Sequence, residues 1–351
     1  MQVVAPIKAS HEDAIHDVAY DYYGRRIASC SSDHKIKVWD KNPETGEWVC
    51  TAEWKAHPAP VWKLVWSHPE YGQLLASCSF DRTVVIWEDR GPKAIAQGHG
   101  AAVGRSAQFQ MKGSRLDFNQ AVNDIAFSPR HVGLQLAVAT DDGFVTVYEF
   151  IDVMDMTQPR ISKFQAPQSS VSQDGPTGAT SIAWSSARFC VPMLVVGAND
   201  GGVAVWGYSD TFRKWQRLFD LGLGGQGGHD STVHDVVWAP DIGRSSHVLA
   251  TCSKDKTVRI WMIEKELTNP TTQSEPKSRI IPVAQVLSEH NAEVWRVQFN
   301  VTGTTLASSG DDGLVRVWKQ NLKNQWVEDG TIAGEKYESK KKGSDKGAPT
   351  I

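Results

Sequence analysis

The sequence predicts an all-β fold, a propeller of six blades. Three observations carry this prediction. One Asp-to-aromatic spacing recurs six times along the 351 residues. A strand-like segment leads into every copy, and a further one follows several of them. The copies recur about every 48 to 61 residues, the period of a four-stranded blade.

The copies read ASCSSD-HKIKVW ending at Trp39, ASCSFD-RTVVIW at Trp87 and AVATDD-GFVTVY at Tyr148. The others are VVGAND-GGVAVW at Trp206, ATCSKD-KTVRIW at Trp261 and ASSGDD-GLVRVW at Trp318. Small residues before the Asp suit a strand that packs closely between neighbouring blades. The Asp and the polar or Gly residue after it are turn chemistry, because the carboxylate bonds nearby backbone amides. The segment after the turn alternates polar and apolar with many β-branched residues, as in a half-buried strand.

Ahead of each pair lies an innermost strand: HDVAYD, VWKLVW, VNDIAF, TSIAW, VHDVVW and VWRVQF. Outer strands follow as EWVCTAEW, KWQRLFDL, PVAQVL and QWVEDGTI. Four copies also carry a His ahead of the innermost strand, with an Asp 22 to 26 residues later. The pairs are His11–Asp33, His57–Asp81, His229–Asp255 and His290–Asp312. Because the pairing recurs once per blade, and blades lie apart, it is expected to be a structural hydrogen bond rather than a metal or acid–base site. Cys30, Cys78 and Cys252 share one strand position and are expected to pack as small buried hydrophobes.

A formal charge of −3 and a pI near 6.4 provide no basic field to attract nucleic acid or anionic lipid. Five cysteines without a CxxC pair fit a reducing compartment. The apolar runs are too short for a membrane span, and the first residues lack a signal-peptide core. No GxSxG elbow, HExxH motif or phosphate-cradling loop occurs, so the sequence offers no support for an enzyme, a cofactor or a metal. Gly222, Gly224 and Gly227 match GxGxxG, but a strand rather than a helix is predicted next, which removes the phosphate site.

Residues 1–334 are expected to form the single propeller, and 335–351 a disordered, solvated basic tail. Residues 90–118 are expected to be a long polar loop, 151–179 a surface excursion and 264–279 a flexible insertion. The strand count predicts an open ring. QWVEDGTI already completes the last blade, yet VVAPI near the start is also strand-like, so outer-strand candidates exceed the six inner triplets by one. The N-terminal strand is then free to join a blade from another chain, with Pro6 confining it to an edge.

Residues 16–40, 61–88 and 293–319 resemble the Sec-thirteen homologue family of small WD-repeat nucleoporins. The chain also looks like that family's sister, the small WD-repeat subunit of the secretory coat. The resemblance runs from about residue 8 to residue 330. YEFIDVMDMTQ, PDIGRSSHVLATCSKD and NVTGTTLASSGDDG lean toward the nucleoporin. It implies an open six-bladed WD-repeat β-propeller completed in trans by a blade from an α-solenoid scaffold nucleoporin. It further implies membership of the Y-shaped nuclear pore subcomplex at the nuclear envelope, and of a vacuolar or lysosomal nutrient-signalling complex. By that analogy the partner seam involves Val3, Val4, Ile7, Val317, Trp318 and Trp326.

Two other readings are weighed: a secretory vesicle coat subunit, and an adaptor that reads peptides on the propeller's central face. The second wants an aromatic and Arg-rich surface. Only Trp62, Trp295 and Arg296 offer themselves, the first two being expected as blade-core tryptophans.

Overall fold

The computed structural model describes residues 7, 9–91, 108–167, 177–188, 190–222, 227–265, 279–321 and 323–333. Among them lie six antiparallel blades. Blade 1 is β1 (Ile15–Tyr20), β2 (Arg26–Ser31), β3 (Lys35–Lys41) and β4 (Trp48–Lys55). Blade 2 is β5 (Val61–Trp66), β6 (Leu74–Ser79), β7 (Thr83–Asp89), β8 (Phe109–Met111) and β9 (Leu116–Asp117). Blade 3 holds β10 (Val122–Phe127), β11 (Gln135–Thr140), β12 (Phe144–Glu149) and β13 (Arg160–Gln165). Blade 4 holds β14 (Ala179–Trp184), β15 (Met193–Ala198), β16 (Val203–Ser209) and β17 (Lys214–Leu221). Blade 5 has β18 (Val233–Trp238), β19 (Ser246–Ser253), β20 (Val258–Glu264) and, after a short β21 (Arg279–Ile281), β22 (Val283–Leu287). Blade 6 is β23 (Val294–Phe299), β24 (Thr305–Gly310), β25 (Leu314–Gln320) and β26 (Trp326–Ala333).

The turn after each small-residue strand explains the recurring Asp. Asp33, Asp81 and Asp255 each accept the backbone N–H two residues on, at 2.9 to 3.0 Å. The residue between sits in the left-handed region in all six blades: His34, Arg82, Gly143, Gly201, Lys256 and Gly313, with φ between 66° and 84°. The Asp-to-aromatic spacing is therefore one hairpin used six times.

The expected loops 90–118 and 151–179 are corrected in part, and the ends of 264–279 are strand residues. The second part of 90–118 is the outer edge of blade 2: β8 and β9 pair with β7, and Phe109 stacks on Trp54 with centroids 4.8 Å apart. Within 151–179, β13 completes blade 3, and Met156 is buried in the core between blades 2 and 3. The segments FQM, LD and RISKFQ read as loop because an outer strand has one face in water and weak apolar alternation. Of 264–279, Glu264 ends β20, and β21 adds to blade 4 as a parallel fifth strand beside β17, tying blade 5 to its neighbour. Residues 92–107, 168–176 and 266–278 of these segments lie outside the described ones, as do Gly224 and the 335–351 tail.

Apolar side chains from each blade face the next and form the core. Ile36 and Val38 of blade 1 meet Leu64 of blade 2, and Val84 and Ile86 of blade 2 meet Ile125 of blade 3. Innermost strands pack in succession: β1 on β5, β5 on β10, β10 on β14, β14 on β18 and β18 on β23. Among the described residues no packing of that extent joins β23 to β1.

Candidate binding junction

Each innermost strand carries a β-bulge at the same place. It falls at His16, Trp62, Asn123, Thr180, His234 and Trp295, which lack a register partner. A bulge re-aims the next side chain. Those next residues are Asp17, Lys63, Asp124, Ser181, Asp235 and Arg296, equivalent positions in the six blades. The acidic members bond forward to the following blade: Asp17 accepts the Leu64 N–H at 3.0 Å, Asp124 that of Ile182 at 2.9 Å, and Asp235 that of Val297 at 3.1 Å. The cations pair forward as well, Lys63 with Asp124 at 2.9 Å and Arg296, as a longer ion pair, with Asp17 at 3.7 Å. Burial pushes the Asp235 carboxyl up, against the pull of Lys63 and Arg296. The Lys63 ammonium, which burial alone would lower, is held above its ordinary range by Asp124. A cavity of about 1130 Å³ is lined by part of this ring, and by Val18 of blade 1 and Val315 of blade 6.

The junction between blades 6 and 1 differs from the other five. At the β1 position of Val18, the other blades place Leu64, Ile125, Ile182, Val236 and Val297, none more than 4% exposed; Val18 is 53% exposed. Ile15 stands at 44%, whereas Val61, Val233 and Val294 at its position are wholly buried. Tyr20 is 61% exposed where Trp184, Trp238 and Phe299 are buried. The opposite wall repeats the pattern: Val315 and Val317 are half-buried, whereas Val84 and Ile86 at the same positions of blade 2 are buried. Blade 6 is completed by its own β26, on whose outer edge Val327 is 46% exposed.

Of the residues expected at a partner seam, Val317 lies on the wall of the blade 6–blade 1 junction. Trp318 and Trp326 do not: both are buried on the other face of blade 6, packed with Ile260, Leu287 and Phe299 against blade 5. The cause is strand alternation, which turns Trp318 away when Val317 faces the junction. Ile7 is half-buried and outside any strand, and Val3 and Val4 lie outside the described residues. Sequence reasoning missed Ile15, Val18, Tyr20 and Val315, which alternate as their buried counterparts do. It also missed the axial ring, whose one signal was a charge inside an apolar strand.

The four histidines belong to relays within blades. His11, His57, His229 and His290 place Nδ1 2.8 to 3.0 Å from Asp33, Asp81, Asp255 and Asp312. Their Nε2 atoms meet Ser29, Ser77, Thr251 and Ser308 at 2.7 to 2.8 Å. Trp87, Trp261 and Trp318 donate indole N–H to the same hydroxyls in blades 2, 5 and 6. An indole only donates and a carboxylate only accepts, so the chain runs Trp to hydroxyl to His to Asp. Burial would raise the four carboxyls, but the His and turn-amide hydrogen bonds hold them below their usual range. Burial holds His57 and His229 low, against their Asp partners. Blades 3 and 4 place Val138 and Val196 where the hydroxyls stand, and the Trp206 indole N–H has no acceptor.

Cys30, Cys78 and Cys252 oppose Asp17, Lys63 and Asp235 across the sheet, fully buried, with burial pushing their thiols up. Trp62 and Trp295 are both bulge residues: Trp62 packs against the core between blades 2 and 3 and tilts over His16, whereas Trp295 is corrected from core to a 38% exposed residue stacked on His234. Among the described residues no cluster of His, Cys, Asp or Glu is arranged to hold a metal, and no helix is long and apolar enough to cross a membrane.

The family model of the WD domain, G-beta repeat, matches residues 5–40, 48–88, 223–262 and 282–319. Those are blades 1, 2, 5 and 6, the ones with the His–Asp relay. Nucleoporin SEH1 of Bos taurus and of Homo sapiens are each 40% identical over 342 residues, covering 95% of this chain and 89% of theirs. Nucleoporin SEH1 of Xenopus tropicalis is 41% identical over 346 residues, with the same coverage. The chain belongs to the nucleoporin SEH1 family. Members are structural WD-repeat proteins and not enzymes. The resemblance to small WD-repeat nucleoporins thus extends over nearly the whole propeller, including blades 3 and 4, which the repeat model leaves unmatched.

Proposed function

We propose that this SEH1-family chain is a scaffold subunit of the nuclear pore, held in the Y-shaped subcomplex at the nuclear envelope through its blade 6–blade 1 junction. The junction is an open seam, and an α-solenoid nucleoporin inserts a blade into it. One observation carries the reading: Val18 is 53% exposed at a position where every other blade buries its residue. Covering a half-exposed aliphatic residue is worth on the order of 1 kcal/mol. Ile15, Val18, Val315 and Val317 together therefore reward an incoming sheet, whose backbone pairing supplies register. The family resemblance carries a second setting, a vacuolar or lysosomal nutrient-signalling complex that uses the same seam.

Purification of the tagged chain from its own cells, with stoichiometric partners identified, tests this. Recovery of α-solenoid and other Y-complex nucleoporins supports the proposal. Recovery of vesicle-coat proteins alone overturns it in favour of the coat role. A crowd of substoichiometric clients would favour the peptide-reading adaptor.

A further inference from the structure

We infer that Arg296 is a positioning residue of the junction, a latch that joins blades 6 and 1 by one ion pair while the apolar residues of the junction stay uncovered. The inference rests on the open-seam reading, and names the residue that sets the width of that seam.

The argument starts from the axial ring. At the blade 1–2, 3–4 and 5–6 junctions an axial carboxylate takes a backbone N–H of the next blade. From blade 2 to blade 3 the link is Lys63 to Asp124, and from blade 4 to blade 5 the ring places Ser181, whose hydroxyl has no partner. Those junctions do not depend on the ring alone, because buried apolar side chains fill them. Between blades 6 and 1 the apolar contribution is missing, as Val18 and Ile15 are exposed. There Arg296 reaches Asp17 across the gap. Asp17 spends its second oxygen on the Leu64 N–H, so the pair chains blade 6 to blade 1 and then to blade 2. Burial would lower the guanidinium, yet Asp235, Asp17 and Asp124 raise it above the ordinary arginine range. A permanent cation that three carboxylates attract stays charged at every pH at which the propeller is folded.

A sheet that enters this junction is stopped where the Arg296–Asp17 pair spans it. The latch therefore acts in the free protein, before any partner arrives. The test uses hydrogen exchange of the isolated full-length chain, comparing wild type, Arg296→Met, Arg296→Lys, Asp17→Asn and the double variant. Asn keeps the acceptor for Leu64 and removes the charge. In Arg296→Met, exchange in Ile15–Tyr20 and Val294–Phe299 is expected to quicken about tenfold while blades 3 and 4 keep their protection. Asp17→Asn should do the same, the double variant should add little, and Arg296→Lys should recover part of the protection. Unchanged exchange at β1, or equal acceleration in every blade, overturns the latch. Partner capture is read separately: a solenoid that never binds wild type refutes the open-seam proposal and leaves the exchange result standing.

Discussion

Val18 and Leu64 occupy the same register position in successive blades, yet the first is 53% exposed and the second 3%. The difference lies in what stands opposite: Ile36 and Val38 cover Leu64. Leu64→Ala is expected to cost about 2–5 kcal/mol in urea unfolding, as a cavity in a packed core. Val18→Asp is expected to stay within about 0.5 kcal/mol of wild type, as at a surface site, while abolishing co-purification of the proposed α-solenoid partner. A Val18→Asp chain that unfolds early, or retains its partner, would show that the position is covered.

The relay of Trp318, Ser308, His290 and Asp312 is a closed chain of donors and acceptors. Ser308→Ala leaves the buried Trp318 indole and His290 Nε2 unpaired, at a cost of about 1–3 kcal/mol for each group. Ser308→Thr should cost less than about 1 kcal/mol, because blade 5 uses Thr251 in the same role. Chemical denaturation of the two variants separates loss of the hydroxyl from loss of volume.

The histidine shifts that are resolved all point down: His16, His57, His131, His229, His234 and His247, each led by burial. The unfolded chain then binds more protons than the folded one below pH 6.5, so acid destabilises the fold. For His247, lowered to about 4, the loss begins near 6.5 and runs to about 4. Each well-buried histidine contributes a slope of up to about 1.4 kcal/mol per pH unit inside its window. Depressed carboxyls of Asp33, Asp81, Asp255 and Asp312 extend the loss below 3.8. Urea midpoints followed downward from neutral pH should fall continuously. A plateau between pH 6.5 and 4 would contradict the histidine contribution.

The hairpin after each Asp tests backbone strain. Lys256 is exposed with φ at 69°, so Lys256→Gly should leave stability unchanged or raise it by up to about 1 kcal/mol. Gly201 is the opposite case: a Cβ there would fall within 3 Å of the His229 carbonyl, and φ is 84°. Gly201→Ala should cost more than about 2 kcal/mol, because backbone on both sides has to move. Thermal melting of the two variants decides it.

Much of the blade architecture is legible in the residues themselves. Lys-Ile-Lys-Val-Trp and Thr-Val-Arg-Ile-Trp alternate as β3 and β20 do, and KWQRLFDL spans the bounds of β17. The outer strands of blades 2 and 3 were hidden for a physical reason. FQM, LD and RISKFQ are short or half-solvated, and pairing with β7 and β12 makes them strands. Local composition in such segments does not separate an edge strand from a loop.

By itself the sequence determined the number of blades, the hairpin at each Asp and the class of fold, because these depend on local turn chemistry and period-two alternation. Only the tertiary structure decided which apolar residues stay uncovered and which charges meet at the axis. Val18 and Leu64 look alike in the chain, and burial depends on whichever blade arrives opposite. Asp17 and Arg296 lie far apart along the chain, and matching bulges in six strands turn them toward one another.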